Sequence, residues 1–130
     1  MNSSSPIGII QSVYAAFAAA DLDAVTKLCS PDIVVTQDPS LPWGGQHVGY
    51  QGVAEFAAQL IGTTDSTVTI DGLFQAGADV VQHGRTRGTV RANGASFDVP
   101  ECHVWTVQDG RITRAQFFID SAAMLSALHG

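Results

Sequence analysis

Only 14% of the 130 residues are charged, and only six are Lys or Arg against twelve Asp or Glu, a formal net charge of −6. That scarcity of cations excludes a nucleic-acid binder, which needs a basic stripe to displace phosphate counterions. Arg85, Arg87 and Arg91 form the one basic cluster, interleaved with Thr and Gly as a solvated strand face. No apolar run approaches the roughly 18 residues a membrane helix requires. The start, Met1-Asn2-Ser3-Ser4-Ser5-Pro6, lacks a basic segment followed by an apolar core, so it does not read as an export signal, and the cytoplasm is the expected compartment. The two cysteines, Cys29 and Cys102, have no metal-ligand spacing and are expected to be reduced. HxH, HExxH and CxxC spacings are absent, with His47, His83 and His129 scattered, so no metal is expected. A phosphate-cradling Gly loop and a Gly-x-Ser-x-Gly elbow are missing too, and no cofactor is expected.

What is present is a 45% hydrophobic composition at a length that suits one domain, residues 1–130. Ser5-Pro6 reads as the cap and first position of a helix running to about Ala20, with Ile10, Tyr14 and Phe17 on one face. Asp21-Leu22-Asp23 restarts a second helix ending near Cys29. Ile33 to Gln37 is a β-branched strand ended by Asp38-Pro39, and Ser40 to Gly49 is a loop. Gln51 to Ile61 is a third helix, followed by strands over 68–74, 80–90, 95–107 and 112–120 and a terminal helical turn over 124–128. Helices first and antiparallel strands afterwards make an α+β domain.

Residues 97–107 carry the chemical signal. Every second residue gives Phe97, Val99, Glu101, His103, Trp105 and Val107, one face of a strand. An acid and an imidazole thus stand in a bulky apolar stripe, where charge is costly unless paired or put to use. Asn93-Gly94 and Asp109-Gly110 are type I′ hairpin signals that set register. The first puts Val90 opposite Phe97 and Thr86 opposite Glu101. The second puts Trp105 opposite Arg114, His103 opposite Gln116 and Glu101 opposite Phe118. With no bulge, the inner face collects the 97–107 stripe with Gln116, Phe118 and, by continuation, Asp120. The outer face receives Cys102, Val104, Ala115, Phe117 and Ile119. Pro100 is the position where a bulge would be expected.

Several strings in this order resemble the NTF2-like superfamily, and within it the SnoaL-like polyketide cyclases and ketosteroid-isomerase-like proteins. They are Ala18-Ala19-Ala20-Asp21-Leu22-Asp23, Asp38-Pro39, Pro42-Trp43-Gly44-Gly45 with Gly49-Tyr50-Gln51-Gly52-Val53, and His103-Val104-Trp105-Thr106-Val107-Gln108-Asp109-Gly110-Arg111-Ile112. The resemblance implies a cone-shaped α+β barrel, a curved antiparallel sheet wrapped around the N-terminal helices with an apolar pocket at its open end. It also implies a homodimer through the outer sheet face. Asp38 matches the proton-shuttling aspartate of the isomerase-like pattern. That pattern's tyrosine falls on Val13, beside Tyr14, and its strand acid on Cys102 or His103. His103 and Asp120 match the histidine and aspartate of the cyclases.

Each candidate has a plainer reading beside the chemical one. Asp38 is a general base or a turn residue. His103 is an acid or oxyanion donor, or a core histidine satisfied by Glu101 or Gln116. Asp120 is an acid/base or a helix cap. Glu101 orients His103 or Arg114 more readily than it reacts, and Tyr14 is core first, pocket second. Phe17, Trp43, Phe97, Trp105 and Phe118 are core or pocket wall, with Gln116 among them. The expected activity is cofactor-independent proton transfer beside a carbonyl of an apolar small molecule: isomerisation, cyclisation or dehydration. Epoxide hydrolysis with two carboxylates and Arg114, or a non-catalytic binding or dimerisation module, are the alternatives.

Overall fold

The computed structural model describes residues 5–130, so the reading of the Ser-rich start lies outside the described residues. Ser5 caps the first helix, α1 (Pro6–Ala18), its side chain accepting from Gly8 N at 3.1 Å. The helix stops early because Ala20 turns into left-handed backbone (φ 55°). Asp21 then caps α2 (Leu22–Lys27) by accepting from Ala24 N at 3.1 Å. The chain continues through β1 (Cys29–Gln37), β2 (Gly45–Val48) and α3 (Gly49–Thr63). Four strands follow, β3 (Thr64–Ala76), β4 (Asp79–Val90), β5 (Ser96–Gln108) and β6 (Arg111–Ile119), and then α4 (Ser121–His129). The stretch expected to be a plain loop over 40–49 contains β2, which pairs with the end of β1.

The six strands form one curved, open sheet in the order β2-β1-β6-β5-β4-β3. It is mixed, not wholly antiparallel as expected: β1 runs parallel to β6. The two strands are remote in sequence, so the connection between them is long enough to return the chain in the same direction. Buried Ile9, Ile10 and Val13 of α1 and Val53 and Phe56 of α3 pack against inward residues of the sheet such as Val80, Val99 and Trp105.

Register decides which side chains face those helices. Asp109 (φ 52°) and Gly110 (φ 77°) make the tight type I′ turn expected of them. The Asn93-Gly94 hairpin is wider: Val90 N bonds Ala95 O and Gly94 N bonds Val90 O. Phe97 therefore pairs with Gly88, Val99 with Thr86 and Glu101 with Gly84, two residues from the expected register. A shift of two keeps every side chain on its face. At β6 the shift is one. Val107 pairs with Ile112, but Thr106 pairs with Arg114, and the extra residue is a bulge. Beyond it, Trp105 faces Ala115, His103 faces Phe117 and Glu101 faces Ile119.

The inner and outer lists of β6 are thus exchanged. Gln116 and Phe118, expected inside, lie on the outer face, where Phe118 is 54% exposed. Arg114 is exposed there as well. Ala115, Phe117 and Ile119, expected outside, point inward. The bulge sits at Thr113, not at Pro100, whose neighbours pair without interruption.

Candidate functional site

Between the concave sheet face and the helices α1 and α3 lies a cavity of about 730 Å³. Tyr14, Phe17, Trp43, Phe97, His103 and Trp105, all expected at a pocket wall, line it. Phe56, Leu60, Phe117 and Met124 complete the apolar wall. Exposed Phe17, Ile61, Val68 and Ile70 rim it.

The polar part of the wall is built on β5 and its neighbours. Glu101, His103 and Trp105 alternate inward along β5, and Gln82 of β4 lies directly opposite His103. Gly84 opposes Glu101; a Cβ there would collide with the Thr69 carbonyl on β3. From the helix side, Tyr14 sends its hydroxyl into this group. Trp105 Nε1 donates to that oxygen at 2.9 Å and Gln82 Nε2 donates to it at 3.1 Å. With both lone pairs engaged, the Tyr14 proton has one destination, His103 Nδ1 at 2.7 Å. Nδ1 is then an acceptor, so the ring proton resides on Nε2, which faces Glu101 Oε2 at 3.1 Å. Gln82 Nε2 gives its second proton to the same Oε2, also at 3.1 Å. Packing holds the imidazole in place: the Phe117 ring lies edge-on to it, with 4.7 Å between centroids.

Burial sets the charges. The Glu101 side chain is wholly inaccessible, and desolvation pushes its carboxyl up from 4.5 to about 7, against the opposing hydrogen bond from Gln82. Desolvation pushes His103 down from 6.5 to about 3, so the imidazole is neutral at physiological pH. Tyr14 is raised well above its ordinary value, chiefly by burial, and keeps its proton. The pair thus prefers its proton on the carboxyl rather than as a buried ion pair. Oε2 is already taken by two donors, so that proton belongs on Oε1, which has no other partner.

Two expected carboxylates are elsewhere. Asp38 is fully exposed, and its carboxyl accepts from Ser40 N at 2.9 Å and Ser40 Oγ at 2.8 Å, the closure of a turn. The backbone hydrogen bond is the main influence holding it below the usual carboxylate range. Asp120 is exposed and caps α4, accepting from Ala123 N at 3.1 Å. Neither lines the cavity, because each short side chain captures a nearby backbone N–H instead. Gln116, Phe118 and Arg114 are absent from its wall for the reason of register given above. Glu101 stands behind His103 and not on the wall itself. Gln82, fully buried and bonded to both Tyr14 and Glu101, escapes a search for titratable residues. Its signal is positional: extending the β4–β5 ladder past Thr86 puts it on the inner face. Among the described residues no group of three His, Cys, Asp or Glu is placed to hold a metal ion.

The chain as a whole is similar to known proteins. The family model for the SnoaL-like domain matches residues 10–115. An uncharacterized protein of Mycobacterium tuberculosis is 29% identical over 127 residues, covering 95% of each chain. The crystal structure of an NTF2-like protein from Burkholderia thailandensis is 29% identical, superposes with a TM-score of 0.89 and covers 95% of this chain and 97% of its own. The structure of TerC co-crystallized with polyporic acid has a TM-score of 0.88 at 23% identity, covering 97% of this chain and all (100%) of that one.

Proposed function

This chain belongs to the SnoaL-like domain family, and from that premise we propose that it is a cofactor-independent acid/base enzyme acting on an apolar, carbonyl-bearing small molecule. The observation that carries the reading is the line Tyr14–His103–Glu101, which runs from the cavity wall to a buried carboxyl. In this reading a carbonyl compound enters the cavity and draws the Tyr14 hydroxyl away from His103. The freed Nδ1 lone pair accepts the proton from the carbon beside the carbonyl. The electron pair moves to the carbonyl oxygen, which takes a hydrogen bond from Tyr14. Above about pH 7, where Glu101 has released its proton, its carboxylate accepts from His103 Nε2–H and favours the imidazolium formed in that step. Returning the proton to another carbon gives isomerisation; carbon–carbon bond formation gives cyclisation; loss of a β-hydroxyl gives dehydration. His103 replaces Asp38 and Asp120 as the base, since both aspartates lie outside the cavity.

The test is α-proton exchange in D₂O, using a panel of polycyclic ketones with polyporic acid as a competitor. The native protein is expected to accelerate exchange, and His103→Gln to slow it by roughly 10²- to 10⁴-fold with the fold intact. Exchange that is equal in both proteins removes the mechanism.

One observation favours a second reading, a non-catalytic binding module. Tyr14, His103 and Trp105 already spend their donors on one another and on Glu101. Such a module binds the same ketones and exchanges no protons. The epoxide-hydrolase alternative loses its arginine, because Arg114 is exposed on the opposite face.

We also propose that two copies pair through the outer sheet face. The bulge revises the residues concerned: Phe74 of β3, Val81 of β4, Val104 and Cys102 of β5 and Phe118 of β6 now share it. Phe74 is 50% exposed and Phe118 54%.

A further inference from the structure

Of the six Lys and Arg residues, Arg91 alone lines the cavity. It follows β4 immediately and is pinned to the last turn of α3 in two places: its backbone N donates to Thr63 O at 3.0 Å and its Nε to Ile61 O at 2.6 Å. That pinning spends one of five guanidinium donors and fixes the plane of the rest. The Nη groups make no hydrogen bond to any described residue, and no described carboxylate lies within 4.0 Å of them. Arg85 and Arg87, by contrast, both grip Asp98, at 2.6 and 3.2 Å. Asp65 also reaches the cavity wall, from the start of β3, without pairing with Arg91. The rim near this cation mixes exposed apolar Phe17, Ile61, Val68 and Ile70 with the polar Asp65, Ser66 and Thr67 of β3.

We infer that the cavity takes an amphipathic anion: an apolar ring body inside, with a single carboxylate, sulfonate or comparable acid group seated on Arg91 at the mouth. The unspent fork can meet two oxygens of such an anion at once, and the apolar side chains of the rim suit the ring that carries it. Capping of α3 explains the Nε bond but leaves the Nη groups without a role. The inference rests on the reading above only in that the cavity binds a small molecule; it needs no catalysis.

Two dyes with the same body separate the possibilities: 1-anilinonaphthalene-8-sulfonate and its uncharged counterpart N-phenyl-1-naphthylamine. Trp43 and Trp105 are the only tryptophans and both line the cavity, so their quenching reports binding there. The native protein is expected to bind the sulfonate more tightly than the neutral dye. Arg91→Gln is expected to weaken the sulfonate by about fivefold or more while leaving the neutral dye within about twofold, a modest factor because the site is open to solvent. Raising salt is expected to erase the sulfonate preference of the native protein and to leave the variant unchanged. If Arg91→Gln weakens both dyes alike, or neither, Arg91 is only a helix cap and the inference is overturned. If the native protein binds neither dye, the small-molecule reading of the cavity falls first and takes this inference with it.

Discussion

Glu101 and His103 together hold one proton across a broad span of pH. In an unfolded chain their ordinary values are 4.5 and 6.5; in the fold they become about 7 and about 3. Between 4.5 and 6.5 both states of the chain bind one proton at this pair, so the pair leaves stability flat there. Below 4.5 the unfolded chain takes up a second proton that the folded pair refuses until about 3, and stability falls as pH drops. Above 6.5 the folded carboxyl keeps, up to about 7, a proton the unfolded chain has released, and stability falls slightly as pH rises. Glu101→Gln leaves the lowered histidine alone, so the acid-side loss is expected to begin near 6.5 instead of 4.5. The extra loss should approach about 1.4 kcal/mol per pH unit in that window. Urea unfolding of both proteins across this range checks it; parallel curves would mean that the fold does not raise the Glu101 carboxyl. Asp38 and Asp120 have the right residue type in matching positions, yet each has a backbone N–H within reach two or three residues on. Local hydrogen bonding outcompeted a distant cavity, and that competition was visible in Asp38-Pro39-Ser40 and in Asp120-Ser121-Ala122-Ala123.

At the scale of elements, the bulge at Thr113 determines what the cavity is made of. Ile112 points inward, Thr113 and Arg114 are both more exposed, and Ala115 points inward again. Deleting Thr113 restores simple alternation and should leave Ala115, Phe117 and Ile119 inside, with dye binding retained. Deleting Gln116 instead turns Phe117 and Ile119 out and Phe118 and Asp120 in, and should cost about 2–5 kcal/mol, the usual range for losing a buried isoleucine, because an acid takes the place of Ile119. Urea midpoints of the two deletions distinguish these outcomes; equal losses would show that the bulge does not set the inner face. The same residue marks the limit of legibility. The faces of β4 and β5 were readable from Asn93-Gly94, because a wider turn displaced the register by two. The faces of β6 were not, because the bulge displaced it by one, and nothing in Arg111-Ile112-Thr113-Arg114 announces it. Gln82 was readable in principle, since the same ladder reaches it.

For the whole molecule, element order and hairpin signals sufficed for the α+β class, whereas the parallel β1–β6 contact depends on long-range packing that no local string encodes. The exchange of faces also changes what an assembly would use. Phe118→Lys puts a charge in the proposed interface and should yield monomers with an unchanged fold, whereas Phe117→Ala, inside the core, should lower stability without altering assembly. Sedimentation velocity with circular dichroism checks both; a Phe118→Lys protein that sediments like the native one would place any interface elsewhere.

In the proposed mechanism a neutral His103, backed by Glu101, handles the proton in the cavity. Nitrogen-15 NMR of the histidine side chains tests it most directly. His103 is expected to be a neutral Nε2–H tautomer that stays neutral well below pH 6.5, with an Nδ1 signal that moves when a cyclic ketone binds. A His103 that titrates near 6.5 and ignores the ketone would contradict it.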